Sequence, residues 1–315
     1  MSQSSMSKPA AWLRAARLEF HPIVLLMLGA GAAAGALDAR SFDPLRALLA
    51  WACLFLIQFA AVLTNEHFDF PGDMANRSAG RFSGGSRVIV TGALTHDEVL
   101  RALAISIALL GAASGLLLAV MPHEARITTL VLIALGVALG LGHTAPPLKL
   151  GHRGFGEINA AFTLGTFPAL TGWVTQGGAV ADPTPWLISM PAFCALLGSR
   201  TLAGIPDVRA DMTLARRTYA VIFGARGAAA VAVFAFLTAS LAGVLLWQDR
   251  IVPGRFGAAY LVTVPHATVL SWLVIARARG SSDERRLDGI LINSLLFTLW
   301  FGLIPCVYFL RLVRG

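Results

Sequence analysis

The sequence predicts an all-α protein that crosses a membrane several times, and three observations support this fold class. Of the 315 residues, 56% are hydrophobic and only 13% are charged, and the mean hydropathy is +0.70. Apolar runs close to the length of a membrane span recur along the chain, and the basic residues gather in alternate connections. A chain with so few charges cannot cover a water-facing surface, which excludes a soluble enzyme and a disordered protein. Three cysteines, all inside apolar runs, also exclude a disulfide scaffold.

The apolar runs predict nine transmembrane helices, since a membrane span needs about 20 mostly apolar residues. We place them at 22–37, 43–65, 97–121, 125–143, 155–175, 185–204, 225–247, 254–276 and 289–311. The amphipathic run Pro9 to Phe20 lacks the features of a signal peptide and is interpreted as an interfacial helix. Residues 1–315 are therefore expected to form a single membrane domain, with an N-terminal interfacial segment at 1–21 and a helical bundle at 22–311.

The distribution of basic residues predicts the orientation of this bundle. With nine spans, 18 of the 25 Lys and Arg residues lie on the side of the N-terminus and 7 on the other side. Positive loops face the cytoplasm, so the N-terminus is predicted to be cytoplasmic and the C-terminus external. This asymmetry explains the net charge of +8 without nucleic acid. A bacterial inner membrane is the expected location, and nothing in the sequence indicates an oligomeric state.

Two of the predicted cytoplasmic loops contain acids four residues apart, Asp69 with Asp73 and Asp207 with Asp211. Residues four apart lie on one face of a helix, where two carboxylates repel each other unless a cation lies between them. Mg²⁺ suits such a place, because it takes oxygen ligands and is commonly shared between carboxylates and phosphates. The alternative for either pair alone is a solvated helix end.

Arginines flank both acidic pairs, and both pairs follow an apolar span on the same membrane face. Guanidinium groups match the geometry of phosphate oxygens, so the combination indicates a Mg²⁺-diphosphate site. Pro71 predicts that the second span breaks between Asp69 and Asp73. Pro206 is suited to the first turn of a new helix just before Asp207.

Several sequence stretches in a fixed order resemble the UbiA superfamily of intramembrane prenyltransferases. They are Asn65-xxx-Asp69-xxx-Asp73, Gly84-Gly85-Ser86-Arg87, Thr144-Ala145-Pro146-Pro147-Leu148-Lys149, Arg153-Gly154-Phe155-Gly156-Glu157, Asp207-xxx-Asp211 and Arg216-Arg217-Thr218. The second and fourth stretches are most similar to the menaquinone branch, which prenylates 1,4-dihydroxy-2-naphthoate. The resemblance extends over most of the chain.

The resemblance implies a nine-helix bundle around a central cavity, with the aspartate motifs at its cytoplasmic face. It implies transfer of a polyprenyl group from an isoprenyl diphosphate to an aromatic acceptor, with Mg²⁺, expected as two ions, drawing charge onto the departing diphosphate. By this resemblance the aspartates are catalytic and the metal ligands are Asn65, Asp69, Asp73, Asp207 and Asp211. Candidates for diphosphate contact are Arg77, Lys149, Arg153 and Arg217. For Lys149 and Arg153, the alternative is a pair of positive anchors at the membrane surface.

The sequence also departs from the family pattern. His143 stands where a Tyr is common, Glu66 replaces an Asp, and Ala203-Gly204 replace an Asn pair. His143 could deprotonate a phenolic acceptor, bind diphosphate or replace the hydrogen bond of the Tyr. These departures leave hydroxybenzoate, homogentisate or a non-aromatic lipid precursor as alternative acceptors.

Two functions outside the family remain alternatives. A transporter would carry ionisable groups near the middle of its spans, whereas the acids here follow the spans. A membrane scaffold would have no need for two acidic pairs with basic neighbours.

Overall fold

The computed structural model describes residues 6–76, 85–249, 251–252, 254–279 and 288–314, and its regular secondary structure in these ranges is entirely helical. The helices are α1 (Lys8–Ala15), α2 (His21–Asp38), α3 (Pro44–Phe68), α4 (Phe70–Ala75), α5 (His96–Val120), α6 (His123–Leu141), α7 (Gly156–Ala161), α8 (Phe167–Thr175), α9 (Pro183–Ala203), α10 (Val208–Thr213), α11 (Tyr219–Gln248), α12 (Gly254–Ala258), α13 (Thr263–Arg279) and α14 (Asp288–Arg314). The predicted all-α membrane architecture is confirmed.

Eight helical segments among the described residues are long and apolar enough to cross a membrane. They are Lys8–Asp38, which combines α1 and α2, then α3, α5, α6, α9 and α11, then Gly254–Arg279, and α14 up to Val313. Each coincides with a span predicted from the sequence. The predicted count of nine is not confirmed by this criterion, because the fifth span differs.

The fifth predicted span, 155–175, is helical but not one regular α-helix. α7 ends at Ala161, a π-helical segment follows at Phe162–Thr166, and α8 begins at Phe167. Pro168 lies at the start of α8 and cannot donate a backbone hydrogen bond. Together the three pieces cover 20 residues, which at about 1.5 Å per residue is near the thickness of the hydrocarbon core.

The bundle is held together by close contact between helices, for example between α2 and α8. A Cβ on Gly31 would collide with the carbonyl of Ala169, and one on Gly172 would collide with the carbonyl of Leu28. Small residues at these crossings allow the backbones to approach, as is common in membrane bundles. α2 also contacts α14, and α9 contacts α11. The outer faces of α5 and α6 are largely exposed, as at Ile127, which is 75% exposed and suited to lipid.

The N-terminal segment predicted to be interfacial forms a separate short helix, α1. Arg17 then adopts a left-handed conformation with a φ of 47°, and a 3₁₀ turn at Leu18–Phe20 leads into α2. This bend directs the chain from the bundle surface into the first long helix. The assignment of 1–21 as a distinct segment of a single domain stays a prediction.

The two acidic pairs lie where long helices end. α3 ends at Phe68 and α4 begins at Phe70, so the second span does break near Pro71, but the break lies at Asp69 and both Pro71 and Asp73 belong to α4. α9 ends at Ala203, and α10 begins at Val208 with Asp207 as its N-cap, so Pro206 precedes the helix instead of opening it. α4 and α10 are in contact, which brings the two motifs together.

Candidate active site

A polar cavity of about 130 Å³ lies where α3, α4, α9 and α10 meet. Its lining includes six of the residues predicted from the sequence: Asn65, Asp69, Asp73, His143, Asp207 and Asp211. Residues more than 130 positions apart along the chain therefore share one site. The cavity also contains Glu66, Glu157, Arg17, Arg200 and Arg216.

The first motif is held by the segment that follows it. Glu66 is buried, and its Oε1 accepts a 2.9 Å hydrogen bond from the backbone N–H of Ser86. The Arg87 guanidinium donates to the backbone oxygens of Asp73 at 2.8 Å and Asn76 at 2.9 Å. Gly85 has a φ of +74°, and a Cβ there would collide with the Asp73 carboxylate. The described part of the Gly-Gly-Ser-Arg stretch thus supports the backbone of the motif.

One hydrogen bond links the second motif to the end of α4, and further hydrogen bonds orient other side chains of the two motifs. Asn76 Nδ2 donates to Asp207 Oδ1 at 2.8 Å, and Thr218 Oγ1 donates to Asp211 Oδ2 at 3.1 Å. Asn65 is engaged as well, since its Oδ1 accepts a 2.7 Å hydrogen bond from Thr144. The amide carbonyl of Asn65 is therefore oriented by the loop that also carries His143.

Arg216 neutralises one carboxylate of each motif. Its guanidinium forms an ion pair with Asp69 and a second one, at 3.4 Å, with Asp211 Oδ1. The preceding residue, Ala215, has a φ of 52°, an uncommon conformation for a residue with a Cβ. After this turn, the Arg216 side chain lines the cavity and the Arg217 side chain is exposed.

Burial and mutual repulsion raise the pKa of two of the carboxyl groups. The pKa of Asp73 is raised to about 7 by desolvation, then by the charges of Asp69 and Glu66. The pKa of Asp211 is raised to about 6, chiefly by desolvation, although Arg216 opposes this shift. A further cation nearby would stabilise the ionised form of these two carboxyl groups and lower their pKa.

The donor set fits a hard divalent cation such as Mg²⁺. The candidate ligands are carboxylate and amide oxygens, which Mg²⁺ prefers, together with phosphate oxygens from a substrate. Among the described residues, no three His, Cys, Asp or Glu side chains converge as a ready-made metal site. The guanidinium of Arg216 lies between Asp69 and Asp211.

None of the described basic residues that were predicted to contact diphosphate lines the polar cavity. Lys149, Arg153 and Arg217 are exposed, and the Arg153 guanidinium donates to the backbone oxygen of Pro147 at 3.0 Å. Arg77 lies outside the described residues. Diphosphate contact by these four residues stays a prediction, whereas Arg216 reaches the aspartates directly.

His143 is held in one tautomer. Asn159 Nδ2 donates to the backbone oxygen of Leu139 at 3.0 Å and lies 3.1 Å from His143 Nδ1. The Leu139 carbonyl requires a donor, so the nitrogen of the Asn159 amide faces the histidine and Nδ1 accepts. The proton of the neutral ring is therefore on Nε2. Burial, reinforced by the charges of Arg200 and Arg216, lowers the pKa of His143 to about 3.

A second cavity, of about 110 Å³ and lined mainly by apolar side chains, adjoins the polar one. Its walls come from α2, α3, α6 and the segment from α7 to α8. Four residues line both cavities, namely Arg17, Asn65, His143 and Arg200. The site thus joins a charged chamber to an apolar one.

Sequence reasoning missed several of these residues for identifiable reasons. Arg216 and Arg217 are adjacent in the sequence, which cannot show which of the two side chains turns inward. Arg200 lies in the last turn of α9, inside a span and not in a loop, and a charge within a span is itself a functional signal. Asn76 and Arg17 carried no signal in the sequence.

Comparisons with known proteins identify the family of this chain. The UbiA prenyltransferase family model matches residues 24–303. A 1,4-dihydroxy-2-naphthoate octaprenyltransferase of Escherichia coli is 26% identical over 309 residues, covering 95% of this chain and 97% of that protein. A digeranylgeranylglyceryl phosphate synthase of Archaeoglobus fulgidus is 28% identical over 267 residues, covering 82% of this chain and 83% of that protein.

The solved structures show the same fold. The structure of a UbiA homologue from Archaeoglobus fulgidus bound to DMAPP and Mg²⁺ superposes with a TM-score of 0.65 at 15% identity, covering 96% of this chain and 99% of that chain. Because the family model spans most of the sequence, the family assignment does not depend on any single relative. The chain belongs to the UbiA prenyltransferase family and is an integral membrane prenyltransferase.

Proposed function

We propose that this protein transfers a polyprenyl group from an isoprenyl diphosphate to an aromatic acceptor, with Mg²⁺, and that the acceptor is 1,4-dihydroxy-2-naphthoate. One observation carries the proposal: a polar cavity lined by both aspartate motifs adjoins an apolar cavity. This arrangement suits a substrate with a charged diphosphate at one end and an isoprenyl chain at the other. The named naphthoate transferases among the relatives support the choice of acceptor.

In this proposal the aspartates hold the metal. Asp69, Asp73, Asp207 and Asp211, with Asn65, would bind two Mg²⁺ ions through oxygen atoms. When bound, Mg²⁺ supplies Lewis-acid assistance to the departure of diphosphate. Once the metal displaces Arg216 from Asp69 and Asp211, its guanidinium would be free to donate two parallel hydrogen bonds to phosphate oxygens.

The other residues would control where the prenyl group reacts. The apolar cavity would exclude water, so that the allylic carbon would be protected from hydrolysis while an electron-rich ring carbon forms the new bond. His143 presents an Nε2–H at the junction of the two cavities, which favours hydrogen-bond donation to a substrate oxygen over removal of a proton. This role corresponds to the Tyr that is common at that position.

The proposal is tested with purified protein in detergent. Diphosphate release from an allylic diphosphate is measured with and without Mg²⁺, and the prenylated product is identified in a competition among dihydroxynaphthoate, hydroxybenzoate and homogentisate. Mg²⁺-dependent formation of prenylated naphthoate is the expected result. Preference for another acceptor would refute the naphthoate assignment, and absence of any transfer would refute the aromatic acceptor class.

The proposed location is the bacterial inner membrane, with the N-terminus in the cytoplasm. The helical run 156–175 would then cross the membrane as the fifth span and bring the total to nine, despite its π-helical segment. A reporter fused after Gly315 decides this point, since nine spans place it outside. A cytoplasmic reporter would refute the nine-span topology.

A further inference from the structure

One buried carboxyl group of the polar cavity, that of Glu157, belongs to neither aspartate motif. Glu157 lies on α7, inside the fifth predicted span, and is only 6% exposed. Ionisable groups inside a membrane span are costly to bury and are commonly functional. In the described part of the chain, no Lys, Arg or His side chain lies within ion-pair distance of this carboxyl group.

The two oxygens of the Glu157 carboxyl group differ in their contacts. Oε1 accepts a 2.7 Å hydrogen bond from the backbone N–H of Tyr219, the first residue of α11. Oε2 is buried and has no hydrogen-bond partner among the described residues. A buried carboxylate oxygen without a donor is unfavourable. A ligand that brings a hydrogen-bond donor into the cavity would therefore be stabilised by Oε2.

Glu157 lies beside the junction of the polar and the apolar cavity. The charge of Arg200, which lines both cavities, acts favourably on Glu157. A Cβ on the preceding residue, Gly156, would lie 3.6 Å from Cε1 of His143, which also lines both cavities. In the proposed function, the acceptor ring and the allylic carbon would meet at this junction.

A carboxylate oxygen without a donor matches the hydroxyl group of a phenolic acceptor. An ionised diphosphate offers only acceptor oxygens, which Glu157 would repel, whereas a ring hydroxyl can donate a hydrogen bond. His143 is not suited to take the proton of that hydroxyl, because its Nδ1 faces the Asn159 amide nitrogen and its Nε2 already carries a proton. A positioned carboxylate can act as a general base on such a hydroxyl.

We propose that Glu157 Oε2 accepts the proton of the acceptor's ring hydroxyl during prenyl transfer. This inference rests on the proposed function and adds the residue that receives the proton. The electron pair of the O–H bond moves into the ring, the ring carbon beside the hydroxyl bonds to the allylic carbon, and the C–O bond breaks with its pair on diphosphate. The group that this ring carbon carried then leaves without its bonding pair, either as a proton to diphosphate or, if it is a carboxylate, as carbon dioxide. Glu157 finally returns its proton to the ring oxygen.

The test compares the purified wild type with Glu157→Gln in detergent, with Mg²⁺ and geranyl diphosphate. Gln keeps an oxygen for the Tyr219 N–H but cannot take up a proton. The two acceptors are 1,4-dihydroxy-2-naphthoate and a nitro-substituted analogue whose hydroxyl is already ionised at the assay pH. Glu157→Gln should lower turnover of dihydroxynaphthoate by about 100- to 10,000-fold. The ratio of wild-type to variant turnover should be much smaller for the ionised acceptor, because that acceptor needs no base.

Two further variants and a binding measurement accompany this comparison. Glu157→Asp keeps a base and should retain part of the turnover, and it allows the same comparison of acceptors if the Gln variant does not fold. Glu124→Gln removes an equal charge at an exposed position on α6 and should alter neither rate. Binding of geranyl diphosphate with Mg²⁺, measured by calorimetry, should be unchanged in Glu157→Gln.

Equal losses of turnover with both acceptors would overturn the inference, since a purely structural contact with Tyr219 predicts that result. Normal turnover in Glu157→Gln would overturn it as well. A wild type that prenylates hydroxybenzoate or homogentisate and not naphthoate would refute the proposed acceptor only. The ratio is then measured on that phenol and its nitro analogue, so the role of Glu157 is decided separately. A wild type that prenylates no phenol would overturn both proposals.

Discussion

Replacing Arg216 with Gln should make the metal-free protein bind Mg²⁺ more tightly. Arg216 contacts Asp69 and Asp211, one carboxylate from each motif. The side chains of these three residues are only 18%, 15% and 7% exposed, so solvent screens the interaction weakly. Arg216 must leave these carboxylates before they can bind a metal, and the variant removes that requirement.

The expected size of this effect follows from the contact that is lost. One hydrogen bond to a charged group contributes roughly 1.5–3 kcal/mol, which corresponds to about a 10- to 150-fold change in affinity. The same loss should destabilise the variant in EDTA, because the two carboxylates then lack a counter-charge. Added Mg²⁺ should restore much of that stability, since binding to the folded state stabilises it.

The assay is a Mg²⁺ titration by calorimetry in detergent, without diphosphate, together with thermal unfolding in EDTA and in Mg²⁺. Arg217→Gln is the matched comparison, since it removes an equal charge from an exposed neighbour. Unchanged or weaker Mg²⁺ binding in Arg216→Gln would refute the reasoning. An equal gain in both variants would show a general charge effect in place of direct competition.

Three further predictions concern the aspartates and their support. Asp69→Asn and Asp207→Asn should each reduce prenyl transfer by more than about 100-fold at saturating Mg²⁺, with a monodisperse profile on size exclusion; near-normal turnover in either would remove it from the metal shell. The raised pKa of Asp73, about 7, means that metal must displace a proton at lower pH. Mg²⁺ affinity should therefore fall as the pH decreases from 8 to 6, with proton release seen by calorimetry in buffers of different ionisation enthalpy; a flat profile would contradict this. Gly85→Ala should weaken Mg²⁺ binding about 10-fold or more, because its Cβ would collide with the Asp73 carboxylate. Gly92→Ala has the same left-handed conformation, with a φ of 71° and nothing within 4 Å, so it should lower stability without changing Mg²⁺ affinity.

The sequence by itself determined the fold class and the two acidic motifs proposed to bind metal. Long apolar runs must become helices in lipid, because every backbone polar group needs a partner there. The spacing of the aspartates predicted two acidic pairs, and Pro71, which lacks a backbone N–H, predicted the break that lies two residues before it, at Asp69. These features depend only on residues that are close together along the chain, so they can be predicted from the sequence.

Only the tertiary structure decides which of the other residues face the site. Arg216 and Arg217 are equivalent as letters, and the left-handed turn at Ala215 coincides with Arg216 facing the aspartates. The division of 155–175 by a π-helical segment likewise required the packed bundle, since its apolar composition is that of any span.

The junction of the two cavities also exists only in the folded bundle. Arg17 and Arg200 are 183 positions apart, and no periodicity relates them. They line the same two cavities because the end of α9 reaches the bend before α2, where the Arg200 guanidinium carbon lies 5.4 Å from the centroid of the Phe20 ring.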